Sequence, residues 1–541
     1  METSYDFIVI GSGFGGSVAA LRLAEKGYSV LVIEKGKKYS SKDFPKTNWN
    51  LRKYLWIPQL RCFGFQKLTF YPQVSILSGV GVGGGSLVYA NTLFSPPAEY
   101  YKHESWKKFK DWQKTLKPYY DKAGYMLGRT QYDKLNIEDE KLREVAKEFK
   151  CENTFDNVYV GVNLDKLKDG TDPYFNGLGP VRNYCTECAG CMVGCRENAK
   201  NSLDKNYLFF AEKLGASILP ETYADKIFFK DDHYEIHTRS STRLLKKNKK
   251  IFRSKGLIIS GGTLGTMELL LKQKFKYGSL PGLSDCIGEK ILTNSETLCA
   301  VSGIKEKMNN GLAITSVFNP DKNTHIEIVK YPDGSNSLKW FFSLSAKKPA
   351  GNLNRILRLI GKSIIHPVDF FKTVFNFKWS TGLIIFLVMQ HLENSMKFVW
   401  RKSFLGGKMV VRNEGNFKVP AYIEIGQKVM EAYARHTGGI AQNIILEVIF
   451  NRPTTAHILG GCPMSDSLKT GVIDDKFRVH GYPDMYVIDG SAMQGNPGVN
   501  PSLSILALAE YAMDQIPSKD GYESKSFELV IKSETQHQTD E

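Results

Sequence analysis

A chain of 541 residues is several times the roughly 100–200 residues of one ordinary domain, and with 42% hydrophobic and 24% charged residues it can bury sizeable cores, which excludes extended disorder. Lys and Arg number 72 against 56 Asp and Glu, a formal charge of +16 that favours anionic surfaces. The densest basic run, Arg239 to Lys255, alternates poorly with aromatics and lies between strand-like pieces, so it reads as a solvated hairpin and no nucleic acid is expected as a partner.

The first element is YDFIVIGSGFGGSVAALRLAEKGYSVLVIEKG, an apolar strand, a glycine turn, a small-residue helix and a second strand ending in Glu34. Gly11 permits the sharp turn, Gly13 lets backbone NH groups approach a pyrophosphate, and Gly16 lets the helix pack on the strand, so phosphate sits at a positive helix end. Glu34 then holds a ribose hydroxyl. Its carboxylate repels a phosphate at that position, which excludes NADP and leaves NAD or FAD. The glycine-rich stretch from Ser75 to Pro97 is flanked by Val, Leu and Tyr, as expected of a packed loop whose backbone passes close to a ligand. Trp106 to Leu127 and Glu138 to Phe149 read as amphipathic helices.

Cys185, Cys188, Cys191 and Cys195 follow with the CxxCxxC spacing of iron–sulfur ligands, without the proline of a ferredoxin run. A zinc site or a tight cysteine-rich turn is the other reading, and the metal stays unknown. From Ala216 short strands form a meander that ends in Gly261 to Gln273, a further strand, glycine turn and helix able to complete the first sheet. Residues 303–447 lack glycine-turn motifs and carry strand-like alternation with apolar helices, as a domain shaped to a substrate would. Within them Leu353 to Trp379 mixes Arg and Lys with Ile, Leu and Phe at helical intervals, broken at His366-Pro367. Such a stretch either lies on an anionic bilayer or is a substrate-domain helix with a wet basic face. Gly382 to Met389 reads as a core strand.

In the last part, TTAHILGGCPMSDS places His457 before a double glycine, where no periodicity explains the ring as core. Met485 to Ile516 again reads strand, loop, helix, with the helix starting after Pro501 and Ser502 near its cap. Its positive end would stabilise an anion by about a kcal/mol, such as the one a reduced flavin carries at N1 and its C2 carbonyl. Asp489, at the end of the strand, can bond a sugar hydroxyl of the same cofactor. Asn500 immediately precedes the helix, so imidazole and carboxamide converge on one face of the ring, one as base or acceptor for a hydroxyl and the other to hold its oxygen. The expected division is residues 1–302 for an FAD-binding domain, 303–447 for a substrate-binding domain, 448–518 for a return to the FAD-binding domain with the active-site segment, and 519–541 for a flexible tail.

Taken together, GSGFGG with Glu34, GVGVGGGSLVYAN, SGGTLGTMELLL, HILGGCPMSD and DGSAMQGNPGVNPSLSILALAE resemble the glucose-methanol-choline (GMC) family of FAD oxidoreductases, and within it the cholesterol oxidase type. The resemblance implies an α/β fold, in which an FAD-binding Rossmann-like domain is interleaved with an α+β substrate-binding domain built on an antiparallel sheet. It implies that His457 and Asn500 contact a substrate hydroxyl whose carbon gives hydride to flavin N5, and that Gly85, Gly490, Ser502 and the backbone near Ala224 line the FAD. Cholesterol oxidases that also move the steroid double bond use a substrate-domain glutamate. The stretch WSTGLIIFLVMQHLENS has none at the expected place and only Glu393 nearby, which reads as a surface acid and leaves isomerisation and the sterol open. Some GMC dehydrogenases of glucose resemble the chain at Cys185, Cys191 and Cys195 and relay electrons through a cluster to a carrier, so the acceptor is O2 or an electron carrier; a flavin-binding electron-transfer partner without turnover is a further alternative. The charge and the Leu353–Trp379 stretch tilt the substrate toward an apolar alcohol, a sterol or a long-chain alcohol, with peripheral membrane contact. The odd count of nine cysteines, a first strand starting almost at Met1, and the lack of an apolar run of roughly eighteen residues point to a cytoplasmic protein.

Overall fold

The computed structural model describes residues 3–243, 245, 247–346, 352–376, 378–404, 406–415 and 418–531. Strand β1 (Ser4–Ile10) runs into helix α1 (Phe14–Glu25) and strand β2 (Val30–Ile33). Every residue of β2 is buried, which is why the strand is a continuous apolar run rather than an alternating one. Helices α2 (Trp112–Leu127) and α3 (Ile137–Glu148) follow where amphipathic spacing predicts them, with Trp106 to Lys110 left outside α2 as turns. Strands β3 (Ser217–Leu219), β4 (Thr222–Lys230), β5 (His233–Ser240) and β6 (Lys250–Ile259) then build one sheet in the order β3-β2-β1-β6-β5-β4. β4, β5 and β6 form the antiparallel meander, and β6 lies parallel to β1, pairing Ile259 with Ile10. Helix α4 (Gly262–Leu271) leaves the end of β6 as α1 leaves β1.

A second sheet is antiparallel throughout and holds strands β7 (Thr297–Ser302), β8 (Ile314–Asp321), β9 (Thr324–Val329), β10 (Phe342–Leu344), β11 (Ile384–Gln390) and β12 (Ile440–Ile444), in the order β10-β12-β7-β11-β9-β8, with Asp156–Asn157 beside β8. The sheet thus takes most of its strands from residues 303–447 and adds two that precede them, β7 and Asp156–Asn157. Both faces are covered. Ile384, Phe386 and Val388 of β11 enter a core under α3, while Ile385, Leu387 and Met389 enter another that faces the first sheet. Period-two alternation therefore decides which residues of each strand look toward the nucleotide-binding side.

Between β10 and β11 the chain makes a hairpin of helices α5 (Asn352–Ile365) and α6 (Pro367–Phe375), broken at the predicted His366-Pro367. It then returns to the first sheet, where β13 (Met485–Val487) adds in parallel beside β6 and feeds helix α7 (Ser502–Asp514). Helices α1 and α7 are locked together by a buried network. Arg22 gives Nε and Nη2 to the two oxygens of Glu510 at 2.8 Å each and Nη1 to Glu25 at 2.7 Å, while the Tyr207 hydroxyl donates to Glu510 at 2.7 Å.

The expected loose tail is in part a docked segment. Lys519 pairs with Asp6, and Phe527 is buried and stacks on Phe210 with ring centroids 4.1 Å apart, because an aromatic so late in the chain finds an open apolar site beside Phe175. Residues 532–541 of that tail lie outside the described residues. Among the described residues no helix is long and apolar enough to cross a membrane.

Candidate functional site

The ends of β1, β2, β6 and β13 open into one cavity of about 350 Å³ that continues onto the face of the antiparallel sheet. Gly11, Gly13, Glu34, Gly85, Ala224, Asp489, Gly490 and Ser502 line it, as do His457 and Asn500. Gly16 does not line it; a Cβ there would lie 1.9 Å from the Gly11 oxygen, so this residue serves the packing of α1 on the turn. Two further glycines make the cradle. Gly11 has φ +103 and a Cβ on it would meet the Ser260 oxygen at 2.1 Å, while Gly84, at φ +54, presses on Gly13 so that a Cβ would sit 2.5 Å from the Gly13 Cα.

Glu34 is held from three sides, by the Ser12 amide at 3.1 Å, the Ser12 hydroxyl at 2.8 Å and the Gly36 amide at 2.8 Å. Its carboxylate is thus fixed at the end of β2 with lone pairs still facing the cavity. Asp489 lines the cavity too, but Oδ1 accepts from the Ser491 amide at 2.8 Å and Oδ2 from the Thr266 hydroxyl, so much of its capacity ties α4 to the end of β13. Burial raises its pKa above the ordinary value against those hydrogen bonds.

The cavity carries marks of a missing polyanionic and polar ligand. The Lys35 ammonium, and after it burial, push the neighbouring Lys67 down to about 8, and both side chains belong to residues of the cavity wall. A diphosphate would relieve that repulsion. Ser260 Oγ, Thr263 Oγ1 and Asn500 Oδ1 are buried with no hydrogen-bond partner among the described residues, and all three residues line the same cavity. Buried polar groups are rarely left so. The N-terminus of α7 opens onto it through Pro501 and Ser502 without a side-chain cap, leaving its amides for a ligand.

At the other end, His457 Nδ1 lies 2.9 Å from Glu296 Oε2, and Glu296 is fully buried. Glu296 also accepts from the Thr455 hydroxyl at 2.9 Å and the Ala456 amide at 3.1 Å, so the segment before His457 wraps around one carboxylate. Burial alone would lower the pKa of the ring. The carboxylates of Glu296 and, less, Glu327 outweigh it and raise the imidazole above its ordinary 6.5. Asn500 donates Nδ2 to Glu327 Oε2 at 3.3 Å, and Glu327, fully buried on β9, is also 3.2 Å from His325 Nε2. Beyond this pair of acids the wall turns apolar, with Met192, Leu298, Ile314, Val329, Ile385 and Leu387.

Neither Glu296 nor Glu327 is among the residues the sequence singles out, while Glu393, which it reads as a surface acid, is one. Glu393 is largely exposed and contacts His103 at 3.4 Å, because it follows the end of β11 and has left the sheet. A different acid lines the cavity: Glu296, just ahead of β7 and two residues before Leu298. The available signal was an acid set among apolar neighbours in THIEIV, since a carboxylate inside a doubly covered strand is costly unless it is used. Glu296, just ahead of its strand, gave no such sign.

The cysteine cluster is a separate matter. Cys185, Cys188, Cys191 and Cys195 line one small recess, all nine cysteines are free thiols, and among the described residues no three His, Cys, Asp or Glu side chains are grouped to hold a metal ion. Burial pushes the Cys191 thiol up to about 11 and the Cys185 thiol well above its ordinary value. The iron–sulfur and zinc readings thus find no grouped ligand set among the described residues, although the spacing brings the four cysteines to one recess.

A family model described as FAD binding domain matches residues 6–45, and models described as GMC oxidoreductase match residues 177–278 and 424–509. A cholesterol oxidase of Mycobacterium tuberculosis is 41% identical over 96% of this chain and 92% of its own, and a cholesterol oxidase of Acinetobacter baumannii is 39% identical over 97% and 96%. Among solved structures a formate oxidase of Aspergillus oryzae shares the fold at 13% identity, with a TM-score of 0.60 over 99% of each chain.

Proposed function

We propose, for a chain that belongs to the GMC oxidoreductase family, that its FAD-dependent oxidation of alcohols acts on an apolar alcohol, a sterol foremost, with His457 taking the hydroxyl proton and Asn500 holding the oxygen. FAD supplies the acceptor for the hydride that leaves the carbinol carbon. Glu34 and the Gly11–Gly13 turn would hold the nucleotide half, and the α7 N-terminus the anionic side of the ring system.

One observation carries the reading: two polar side chains in a single cavity wall, each backed by its own buried carboxylate, stand where that wall changes from polar to apolar. With Nδ1 facing Glu296, the nitrogen left for a substrate is Nε2. Imidazole raised above 6.5 is a stronger base than a free one, which suits removal of a hydroxyl proton whose own pKa is far higher. Asn500, its Nδ2 on Glu327, keeps Oδ1 for a donor and a second N–H for an acceptor. The apolar end excludes water and offers no set of polar groups for a sugar.

The sterol is favoured over a long-chain alcohol because the relatives at about 40% identity are cholesterol oxidases. Molecular oxygen is the acceptor in this reading, in keeping with the oxidase names of the relatives. The test is anaerobic mixing of the yellow protein with cholesterol in detergent, and separately with a long-chain primary alcohol. Bleaching of the flavin band by the sterol, and hydrogen peroxide on admitting air, is the expected result; indifference to both alcohols would refute the proposal. Bleaching by the primary alcohol alone would transfer the activity to the runner-up substrate.

A further inference from the structure

The hairpin of α5 and α6 is built inside out. Three of its polar residues face the protein: Arg355 is buried and gives Nη2 to Glu447 Oε1 at 2.7 Å and Nε to the Ala346 oxygen at 2.9 Å, Lys362 Nζ donates to the Ser345 oxygen at 3.0 Å, and Thr373 is the buried residue of α6. Its apolar residues face outward. Ile364 and Ile365 are each 73% exposed, and Leu357, Val368, Phe371 and Phe375 are exposed as well. Spacing puts Leu357, Ile360 and Ile364 on one side of α5, and Val368, Phe371 and Phe375 on one side of α6. A soluble helix buries such a stripe. Here the stripe faces outward, and Arg355 on the inner side pairs with Glu447.

We propose that this outward face docks on an anionic lipid bilayer and seats the apolar end of the cavity against it. The chemistry of the rim chooses the occupant. Arg358 and Lys372 are exposed beside the stripe, Asp369 is the one acid between Arg355 and Lys378, and the whole chain carries +16, which together match acidic headgroups over an acyl boundary. Trp340, 57% exposed, sits in the turn on which α6 packs, the residue type suited to the headgroup level. The hairpin is also continuous with the cavity wall. Fully buried Trp379, four residues beyond α6, stands 5.6 Å from Phe342 of β10, and both belong to the same apolar core as Val329, Ile385 and Leu387 of the wall. The proposal rests on the reading of an apolar alcohol substrate, since a membrane is where such an alcohol resides.

Cosedimentation with substrate-free vesicles, of phosphatidylcholine alone or mixed with phosphatidylglycerol, tests it on the FAD-loaded full chain. The protein should sediment with the mixed vesicles, and Ile364→Asp with Phe371→Asp should weaken that binding at least tenfold while turnover of detergent-dispersed sterol stays at wild type. Arg358→Glu with Lys372→Glu, which leaves the apolar stripe intact, should remove the preference for the anionic lipid. Wild-type protein that stays in the supernatant, or an Ile364→Asp/Phe371→Asp variant that sediments unchanged, overturns the docking. So does a dimer in light scattering that the same two changes disperse, because the face would then be covered by a second copy. Vesicle binding without any alcohol oxidation would instead refute the substrate and leave the docking standing.

Discussion

Glu296→Gln isolates the charge behind His457, the base of the proposed reaction. An amide oxygen in the place of Oε2 still accepts from the Thr455 hydroxyl and the Ala456 amide, so the segment before His457 keeps its shape while the negative charge disappears. At 2.9 Å and an effective dielectric of about 20, Coulomb's law gives a gross attraction of about 6 kcal/mol between the imidazolium and this carboxylate. Since about 1.4 kcal/mol moves a titration by one unit, a term of that size is what lets the pair overcome the burial of the ring. Without it burial dominates and Glu327 alone opposes it, so the imidazole should pass from above 6.5 to below it. The base is active only when neutral, and kcat/KM for a detergent-dispersed sterol should therefore lose its acid limb at lower pH in the variant than in the wild type. Above both values the weaker and less firmly held base should turn over more slowly, by roughly ten- to a hundredfold. The ratio of variant to wild-type activity consequently rises as pH falls. An acid limb that stays in place, or moves upward, would show that Glu296 does not set the protonation of His457.

His457→Ala should keep FAD bound and lower the anaerobic rate of flavin reduction by roughly 10²–10⁴, the usual contribution of a positioned acid–base group, and a rate within threefold of wild type would place the base elsewhere, a threshold on the order of 0.6 kcal/mol. Asn500→Ala should lower the same rate and leave Glu327 without its amide, visible as a loss of thermal stability on top of the kinetic effect. Gly84→Ala puts a side chain on left-handed backbone, about 1–2 kcal/mol of strain, and a Cβ 2.5 Å from the Gly13 Cα. The purified variant should hold clearly less FAD per chain, and a full complement after dialysis would contradict the cradle. Arg22→Met breaks a buried pair on both Glu510 and Glu25 and should cost about 3–5 kcal/mol of stability. Burial opposes and Arg22 outweighs it to hold the Glu510 carboxyl below its ordinary 4.5, so the wild-type contribution is complete above that value and is lost as pH falls through the lower folded value; melting curves of the two proteins should converge in acid.

The nucleotide-binding half was legible because its signals are local. Gly11, Gly13 and Glu34 stand within one strand, turn and helix, and the backbone geometry each supplies does not depend on the rest of the chain. The same holds for the start of α7 after Pro501, where proline fixes the first turn. The extent of the antiparallel sheet was not local. Whether β7 belongs with β11 and β12 rests on pairings across more than 80 residues, Cys299 with Phe386 and Cys299 with Asn443, which no single stretch announces. The tail misled for a related reason: the polar residues after Lys519 suggest solvent, and only the place left beside Phe175 and Phe210 draws Phe527 in.

The two acids behind His457 and Asn500 show where composition and position part company. In β9 the face toward the cavity carries His325, Glu327 and Val329, and the opposite face carries Ile326 and Ile328, so the sequence displays the alternation of a half-solvated strand. Both faces are in fact buried. The polar stripe is thus spent on function rather than on water, and only the second sheet face, covered by the first sheet and its cavity, distinguishes the two cases. The consequence reaches the mechanism. A carboxylate fixed by strand pairing on both sides, Glu327 between Leu387 and Val317, cannot swing with the loop that carries Asn500, so the carboxamide is oriented by the rigid sheet and not by its own segment. His457 follows the same rule through Glu296 at the head of β7. The antiparallel sheet therefore supplies the apolar wall and the orientation, while the segments returning to the parallel sheet carry His457 and Asn500.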